Sequence, residues 1–467
     1  MHKLHIFRHF QMYKLHIFRY YDKTMNERRW FFMRRVMLNK LLEWKAKSDH
    51  KPLIIYGARQ VGKTYLVEEF AKNHYKYCYS INFEFQEDAR TIFSGNLDIK
   101  TLLMQLTTYQ STPIVEGKTL LFFDEVQKCP QVLTALKVFA LDGRFDVIAS
   151  GSMLGIMMHE VSSFPVGYVE SLYLRPMSFQ EFLWAKGFQD EQIQDFKDYF
   201  VRKEPLPSAI HEKLNELFLH YIVVGGMPAA VKKYIETSNM QEVNEIQKNI
   251  LIGYKNDIAK YATKMVREKA RECFESIPEQ LAKDNKKFQY KVIKKGGTAR
   301  YYNNALNWIL DAGLGIKIHR LKTFDIPLGA YRDVNAFKFY FNDTGLLLSF
   351  YETDVRHEII NGNLGVFKGG VFENVIAQCL MDNGLPIYYY QKNDTLEIDF
   401  VTSINGRIVP IEVKSGRNTK ASSIKTIVER ENLDFGIVFS MNQLNCSNPK
   451  IKYYPLYMIL FLKNENE

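Results

Sequence analysis

Gly57-Ala58-Arg59-Gln60-Val61-Gly62-Lys63-Thr64 is the stretch that says most about the fold. It fits the pattern G-x-x-x-x-G-K-[ST], in which a glycine-rich loop wraps its backbone N–H groups around the phosphates of a nucleotide. The apolar run Leu53–Tyr56 precedes the stretch, and a helical pattern that starts near Lys63 follows it. The sequence therefore predicts a strand, a phosphate loop and a helix, in the order that such loops require. The alternative is an ordinary glycine turn between a strand and a helix.

All eight residues of the stretch are candidate nucleotide contacts. Gly57 and Gly62 allow the backbone to turn tightly and to approach phosphate oxygens. Lys63 would bring a positive charge to the β- and γ-phosphates, and Thr64 would ligate Mg²⁺ through its hydroxyl. We therefore predict ATP and Mg²⁺ as ligands, with Lys63 also a catalytic residue. The side chain of Arg59 could face either the nucleotide or the protein interior.

A second apolar run, Thr119–Phe123, ends in Asp124 and Glu125. In a nucleotide-hydrolysing site, Asp124 would hold Mg²⁺ and Glu125 would orient the attacking water as the catalytic carboxylate. The next buried run, residues 145–149, ends in Ser150-Gly151-Ser152, and Ser150 or Ser152 could contact the γ-phosphate; we select Ser152 as the candidate. The alternatives are a solvated acidic loop and ordinary turn chemistry at the strand ends.

Several longer runs carry a resemblance to a known family. They are DEVQ at 124–127, SGSMLGI at 150–156, FPVGYVESLYLRPMSFQEF at 164–182, GGMP at 225–228, and FENVI and IEVK near the end. Together with GARQVGKT they resemble the prokaryotic AAA-type P-loop ATPases that carry a restriction-endonuclease-like domain at the C-terminus. The resemblance spans roughly residues 33–420. It implies an ATPase core, a winged-helix middle and a nuclease-like tail, and it implies no established biological role.

The fold class that follows is α/β. We expect an AAA-type parallel sheet over residues 33–190, a helical lid or linker over 191–270, a winged-helix-like part over 271–350 and a restriction-endonuclease-like α/β domain over 351–467. Residues 1–32 are a basic extension that we predict to be disordered. Within it the segment 3–8 recurs as 14–19, and we interpret it as a start codon assigned too far upstream. The alternative is a basic arm that touches nucleic acid or a membrane surface.

Composition is that of a large globular chain. The 467 residues suggest about three domains, and 46% hydrophobic and 24% charged residues exclude wholesale disorder. No apolar run approaches the roughly 18 residues of a membrane span, so we predict no membrane partner. The five cysteines are scattered without C-x-x-C spacing, which is typical of reduced core residues in a cytoplasmic protein rather than of a zinc site.

The net charge is +10, and one segment of the chain is markedly basic. Between Lys283 and Arg300 there are seven basic residues against one acid, Asp284. A helix is predicted over Tyr301–Ala312, and the strand-like runs 314–321 and 337–341 would form a wing. A helix-turn-helix with a wing places its second helix in a DNA groove, with basic residues on the phosphates, so we predict DNA as a partner. The alternative is a winged helix used only as a protein spacer.

Two alternating runs near the C-terminus flank Asn405-Gly406, which is a strong signal for a two-residue hairpin loop. This register places Asp399 opposite Glu412, with their Cβ atoms about 5 Å apart. Two facing carboxylates repel one another unless a positive group lies between them. Mg²⁺ is the obvious candidate, with Asp399 and Glu412 as its ligands.

The same period places Lys414 on the face of Glu412, where it could orient water or stabilise charge. Upstream, a helix is predicted with a buried stripe that leaves Glu373 outside it. Together Glu373, Asp399, Glu412 and Lys414 resemble the PD-(D/E)xK nuclease signature, which implies that all four are catalytic in Mg²⁺-dependent phosphodiester hydrolysis. The alternative is the solvated face of an ordinary hairpin.

Two functions from different classes remain. In the first, ATP hydrolysis gates a Mg²⁺-dependent DNA nuclease. In the second, the protein is a nucleotide-dependent regulator or DNA-binding switch whose nuclease-like domain is not catalytic. Since AAA-type ATPases usually take an arginine from a neighbouring subunit, a homo-oligomer is compatible with the resemblance. Arg144 and Arg175 are candidates for that arginine, and the sequence does not rank them.

Overall fold

The computed structural model describes residues 33–152, 165–283, 285–362, 369–393, 396–415 and 421–464. The predicted extension 1–32, Asp284 and most of the SGSMLGI run lie outside these ranges. The fold begins with helix α1 (Met37–Ala46) and strand β1 (Leu53–Tyr56). Helix α2 (Lys63–His74) follows the loop at 57–62, so the predicted order of strand, loop and helix is confirmed.

The first sheet is parallel and has five strands in the order β2-β3-β4-β1-β5. The remaining strands are β2 (Tyr77–Asn82), β3 (Thr119–Asp124), β4 (Asp146–Gly151) and β5 (Glu170–Tyr173). All six residues of β3 are buried, as expected of a parallel strand that is covered by helices on both faces. Those helices include α3 (Ile99–Tyr109) and α4 (Gln131–Asp142). The predicted α/β fold with a parallel P-loop sheet is confirmed.

A helical region follows this sheet. Its members are α5 (Phe179–Ala185), α6 (Asp190–Arg202), α7 (Ser208–Val224), α8 (Pro228–Thr237) and α9 (Met240–Tyr261). The longest, α9, has 22 residues, which at 1.5 Å per residue is a rod of about 33 Å. None of the described helices combines the length and the apolar character needed to cross a bilayer.

The next part contains α10 (Lys264–Ala282), α11 (Tyr290–Ile293), α12 (Ala299–Asp311), β6 (Gly315–Leu321) and β7 (Arg332–Phe341). The helix and both strands predicted here are present. Between α10 and α11, Lys287 forms an isolated antiparallel bridge to Lys338 of β7. The chain therefore runs helix, bridge, helix, helix, strand, strand, with β7 bonded on both sides.

The two strands expected to form a wing pair with each other and also belong to a larger sheet. The second sheet is mixed and has seven strands in the order β12-β11-β10-β9-β8-β6-β7. It adds β8 (Tyr388–Asn393), β9 (Leu396–Ile404), β10 (Arg407–Val413), β11 (Gly436–Ser440) and β12 (Ile451–Pro455). Because β6 pairs in parallel with β8, one sheet runs across the boundary expected at residue 350.

The predicted C-terminal hairpin is present in the predicted register. Arg407 pairs with Ile404, and Ile411 pairs with Phe400. Asn405 and Gly406 both have positive φ, at 49° and 76°, as the favoured two-residue hairpin turns require. Asp399 and Glu412 are therefore the next facing positions along the ladder.

Helices α13 (Thr344–Leu348), α14 (Thr353–Ile360), α15 (Gly369–Asp382) and α16 (Ser422–Arg430) complete the fold. The expectation that α15 has an exposed side carrying Glu373 is wrong. The eleven consecutive residues 370–380 are all buried, because the helix is enclosed on all sides. Glu373 is only 4% exposed.

Candidate functional site

The phosphate loop is shaped by its two glycines. Gly57 has φ of 150°, and a Cβ there would lie 2.1 Å from the carbonyl oxygen of Leu174, which follows β5. Gly62 has φ of 92° and immediately precedes α2. Both backbone conformations are accessible to glycine and strained for other residues. The loop can therefore present its N–H groups at the N-terminus of α2, where anions bind favourably.

Lys63 lies inside this loop and is 5% exposed. Its ammonium donates hydrogen bonds to the carbonyl oxygens of Gly57 at 3.0 Å and Ala58 at 2.9 Å. Burial lowers the pKa of Lys63 to about 8, against the opposing charges of Glu125 and Asp124. A phosphate group would offer this ammonium the compensating charge that the loop carbonyls supply only in part.

The carboxylate of Asp124 is the point where three strand ends and α2 meet. Oδ2 accepts hydrogen bonds from the Thr64 hydroxyl at 2.8 Å and from the Asn82 amide at 2.9 Å. The hydroxyl of Ser150 donates to Oδ1. The structure thus brings Thr64 and Asp124 together as predicted and adds Asn82, which the sequence analysis missed. The sequence feature that could have identified Asn82 is a polar residue at the carboxyl end of β2, the strand next to β3.

Glu125 follows Asp124 with φ of 54°, in the left-handed region. Its carboxylate accepts hydrogen bonds from Gln127 and, at 3.4 Å, from the hydroxyl of Ser152. Burial raises the pKa of Glu125, and the charge of Lys63 opposes the rise. Ser152 therefore contacts the candidate catalytic carboxylate, and Gln127 is a positioning residue that was not predicted.

Other loop residues are held from outside the first sheet. The guanidinium of Arg59 pairs with Asp257 of α9 at 2.5 Å and with Glu84 at 3.0 Å. The carbonyl oxygen of Val61, a fully buried residue, accepts a hydrogen bond from Arg35 at 2.7 Å. The side chain of Arg59 thus faces acidic protein groups, while its backbone remains in the phosphate loop beside Gln60.

The two candidate arginines of the subunit contact are both paired within the chain. Arg144 lies 2.7 Å from Asp142, and Arg175 lies 3.8 Å from Asp382. Arg144 is the more exposed, with 46% of its side chain accessible, against 32% for Arg175.

The four predicted nuclease residues form two groups. In the first, the carboxylate of Glu373 lies 2.8 Å from Lys286 and 3.4 Å from Lys338, and accepts a hydrogen bond from Tyr340 at 2.9 Å. Burial favours the neutral acid, but the two lysines outweigh it and lower the pKa of Glu373 to about 2. Glu373 is therefore an ionised, charge-compensated core residue. The sequence analysis missed Lys338, although a lysine inside the apolar strand β7 indicates that an acidic partner is buried with it.

The second group lies at the end of the predicted hairpin. Asp399 Oδ2 accepts the N–H of Val413 at 2.8 Å, which fixes its carboxyl against the backbone of the facing strand. Burial and the nearby charge of Glu373 raise the pKa of Asp399 to about 7. Glu412 Oε1 is paired with Lys414. Oε2 of Glu412 is buried and has no hydrogen-bond partner among the described residues.

This second group contains two carboxylates rather than a full metal cage. In the described part of the chain, no three His, Cys, Asp or Glu side chains converge as a metal-binding group. Mg²⁺ is commonly bound by one or two carboxylates with waters and substrate phosphates, so a pair is sufficient for that ion. The unpartnered Oε2 of Glu412 and the raised pKa of Asp399 both indicate a place where positive charge would be stabilising.

Comparison with known proteins divides the chain into three parts. Residues 49–183 match the family model described as an AAA domain. Residues 215–356 and 368–459 match two models described as domains of unknown function, DUF8612 and DUF4143. The first match contains the phosphate loop, Asp124, Glu125 and Ser152. Residues 49–183 therefore combine a P-loop fold with similarity to AAA domains.

Individual relatives are distant. An uncharacterized protein of Methanocaldococcus jannaschii is 26% identical over 236 residues, covering 50% of this chain and 47% of the relative. The chain thus spans about half the length of the curated relative that it matches. A Walker-type ATPase of Pyrococcus abyssi shares 14% identity, with a TM-score of 0.43 over 69% of this chain and 97% of that one. The ORC1 protein of Aeropyrum pernix, solved with DNA, shares 11% identity over 68% of this chain and 91% of that one, with a TM-score of 0.29.

Proposed function

We propose that the protein binds ATP with Mg²⁺ in the loop at residues 57–64 and hydrolyses it. The observation that carries this proposal is the contact of 2.8 Å between the Thr64 hydroxyl and the Asp124 carboxylate, beside the buried ammonium of Lys63. A hydroxyl and a carboxylate from these two elements are the protein ligands that P-loop enzymes offer to Mg²⁺. An ion held by these two side chains would neutralise charge on the β- and γ-phosphates.

The other roles in nucleotide binding and hydrolysis would belong to side chains and backbone groups of the protein. Lys63 would leave the loop carbonyls and bind phosphate oxygens, and the loop N–H groups would hold the rest of the phosphate chain. Glu125, positioned by Gln127 and Ser152, would orient the attacking water. Nothing in this assignment requires a residue outside the AAA domain, apart from Arg35 and Asp257, which support the loop.

Lys63→Ala tests the site. We expect the variant to lose ATP binding or turnover by at least a hundredfold, measured by calorimetry and phosphate release. Lys72→Ala, an exposed lysine on the same helix, is the matched control and should retain both. A Lys63→Ala protein that hydrolyses ATP at the wild-type rate would place the site elsewhere.

We further propose that nucleotide turnover is coupled to DNA binding by residues 264–341. The order α10, bridge, α11, α12, β6, β7 is that of a winged helix, and the bridge of Lys287 to β7 supplies its short first strand. Four exposed basic residues lie on α11, in the turn that follows it and at the start of α12: Lys291, Lys294, Lys295 and Arg300. Such a cluster neutralises phosphates when a helix enters a groove.

A charge reversal tests the DNA binding on which this coupling depends. Lys291→Glu with Lys295→Glu should weaken binding to a duplex by on the order of a hundredfold in fluorescence anisotropy at fixed salt. Lys72→Glu with Lys118→Glu changes the net charge equally on the AAA domain and should have a small effect. Equal losses in the two double variants would indicate that binding follows net charge alone.

A second function, Mg²⁺-dependent cleavage of DNA, is favoured by one observation. Oε2 of Glu412 is buried without a hydrogen-bond partner in the described ranges. Glu412 faces the position of Asp399 across the hairpin, and its other oxygen is paired with Lys414. Asp399 and Glu412 would hold the ion, which activates water for phosphodiester hydrolysis. Glu373, ionised between two lysines, would support the charge balance of the site.

Plasmid cleavage with Mg²⁺ and ATP separates this function from a purely regulatory role. Cleavage should be lost in Asp399→Ala and kept in Asp434→Ala, since Asp434 is an exposed residue. Nicking that persists in Asp399→Ala would assign the activity to another site or a contaminant. DNA binding without any cleavage by the wild type would favour the nucleotide-dependent switch.

A further inference from the structure

One face of α12 is polar and exposed in a regular pattern. Arg300, Asn303, Asn304 and Asn307 are all exposed, and they follow the spacing i, i+3, i+4, i+7 that places side chains on one side of a helix. The opposite side is buried, with Tyr302, Ala305, Leu306, Trp308 and Ile309 packed inward. The three asparagine side chains make no hydrogen bond to another described residue. Three unpaired amides in one stripe are unusual, because asparagine is a poor helix former.

Amide and guanidinium groups in this arrangement match the edges of DNA bases. An asparagine amide binds the N6 and N7 atoms of adenine in a bidentate way, and arginine binds O6 and N7 of guanine. Neither group adds the acidic charge that would repel the phosphate backbone. If the stripe only had to be solvated, charged residues such as the arginines and glutamates that α10 exposes would serve equally well.

The surroundings of the stripe carry the charge that DNA requires. Lys291 of α11 and Lys295 in the following turn are exposed, and Lys294 is exposed apart from its contact of 3.7 Å with Glu272. Thr298, which precedes α12, makes no side-chain cap. The first N–H groups of the helix therefore remain available for a phosphate oxygen.

The dimensions also agree with a major groove. The stripe from Arg300 to Asn307 covers seven helical steps of 1.5 Å, or about 10 Å along the helix, which corresponds to about three base pairs at ~3.4 Å each. The major groove of B-DNA is about 12 Å wide and admits a helix, whereas that of A-form RNA is too narrow. Duplex DNA is therefore the polymer that fits.

We propose that α12 reads DNA sequence, with Asn303, Asn304 and Asn307 on adenine edges and Arg300 on guanine, over a site of about three to four base pairs. The inference rests on the proposed DNA binding and deepens it. Three lysines bind phosphates and contribute affinity without sequence preference: Lys291, Lys294 and Lys295. The protein is thus a sequence-selective reader and not merely a charged surface.

Selection from a random duplex library with the full-length protein tests the proposal. The wild type should enrich a short motif rich in A·T pairs beside a G·C pair, and substitution of one motif base pair should weaken binding on the order of tenfold. Asn303→Ala/Asn304→Ala/Asn307→Ala should lose the enrichment while its affinity for an unrelated duplex stays within about threefold. Alanine is the better helix former, so the variant should fold, and a circular-dichroism melt checks this.

Two further variants distinguish the reading of base sequence from DNA binding without sequence preference. Lys291→Ala/Lys295→Ala should weaken binding to all sequences alike and reduce the salt slope by about one per lysine, leaving the motif intact. Gln194→Ala, which removes an amide from α6, should change neither the affinity for DNA nor the enriched motif. A wild type that binds DNA but enriches no motif, or a triple variant that keeps the motif, would overturn base reading and leave DNA binding standing. A wild type that binds no DNA would overturn both.

Discussion

The guanidinium of Arg59, in the middle of the phosphate loop, lies 2.5 Å from the carboxylate of Asp257 on α9. The same helix donates the Tyr254 hydroxyl to the carbonyl oxygen of Arg59 at 3.1 Å. Ten residues before Asp257, the side chain of Gln247 donates to the carbonyl oxygens of Val223 and Val224 and accepts from Arg356 of α14 at 2.7 Å. One helix therefore contacts the phosphate loop near one end and α14 of the C-terminal part near the other.

A double-mutant cycle on Arg59 and Asp257 measures this contact. Asp257 is 5% exposed, so we expect Arg59→Ala and Asp257→Ala to be coupled by about 1–2 kcal/mol in the free energy of unfolding by urea. The pair Arg202–Glu204, about half exposed on both sides, is the control and should be coupled by less than about 0.5 kcal/mol. Equal couplings would mean that the helix does not restrain the loop.

A glycine substitution tests the shape of the loop. Gly57→Ala would bring a Cβ to 2.1 Å from the Leu174 carbonyl oxygen, so backbone must shift in β1 or after β5. We expect a loss of more than about 3 kcal/mol of stability and loss of ATP binding by calorimetry. At Gly95 nothing lies within 4 Å of an added Cβ, so Gly95→Ala should leave both nearly unchanged. An active, stable Gly57→Ala protein would contradict the close approach.

The AAA domain could be predicted well because its signal is local. Residues 57–64 specify loop, ligand and helix start within eight positions, and the carboxyl ends of parallel strands then bring Asp124 to Thr64. Asn82 and Gln127 were missed, since a single polar residue at a strand end is ordinary. The pair Arg59–Asp257 could not be predicted, because 198 positions separate the two residues and no periodicity links them.

In the C-terminal part the hairpin register was predicted from Asn405-Gly406 and is confirmed, because turn geometry determines pairing over a few residues. The exposed position assigned to Glu373 was wrong. Helical periodicity identifies the more apolar side of α15, yet tertiary packing covers both sides. A buried carboxylate is tolerated only where cations reach it, and Lys286 and Lys338 come from elements far apart in the chain.

A buried capping residue should make stability depend on pH. Asp343 is fully buried and accepts the N–H groups of Gly226 at 2.6 Å and Leu346 at 2.9 Å, one on each oxygen. Asparagine has one acceptor oxygen, so Asp343→Asn should lose about 1–3 kcal/mol at pH 5 in urea unfolding. Asp325→Asn, at an exposed position, should lose little.

The direction in which stability changes with pH follows from the direction in which the pKa of Asp343 is shifted. Burial raises the pKa of Asp343 to about 6, although the N–H donors oppose the rise. Between about pH 4 and pH 6 the folded protein holds a proton that the unfolded chain has released, so this contribution to stability falls as pH rises. The loss caused by Asp343→Asn should therefore be smaller at pH 8 than at pH 5. A loss that grows with pH would contradict the assignment.

Metal binding at the hairpin can be tested without any cleavage assay. If Asp399 and Glu412 hold Mg²⁺, an ion that binds with a dissociation constant near ~1 mM should stabilise the folded protein by about 1.4 kcal/mol at ~10 mM. The apparent melting temperature of the nucleotide-free protein should rise by a few degrees. Asp399→Asn keeps the acceptor for the Val413 N–H but removes the charge, so its melting temperature should not respond to Mg²⁺. Asp434→Asn should respond like the wild type. An equal rise in all three proteins would place the ion at another site, and no rise in the wild type would leave the hairpin a charge-balanced structural element.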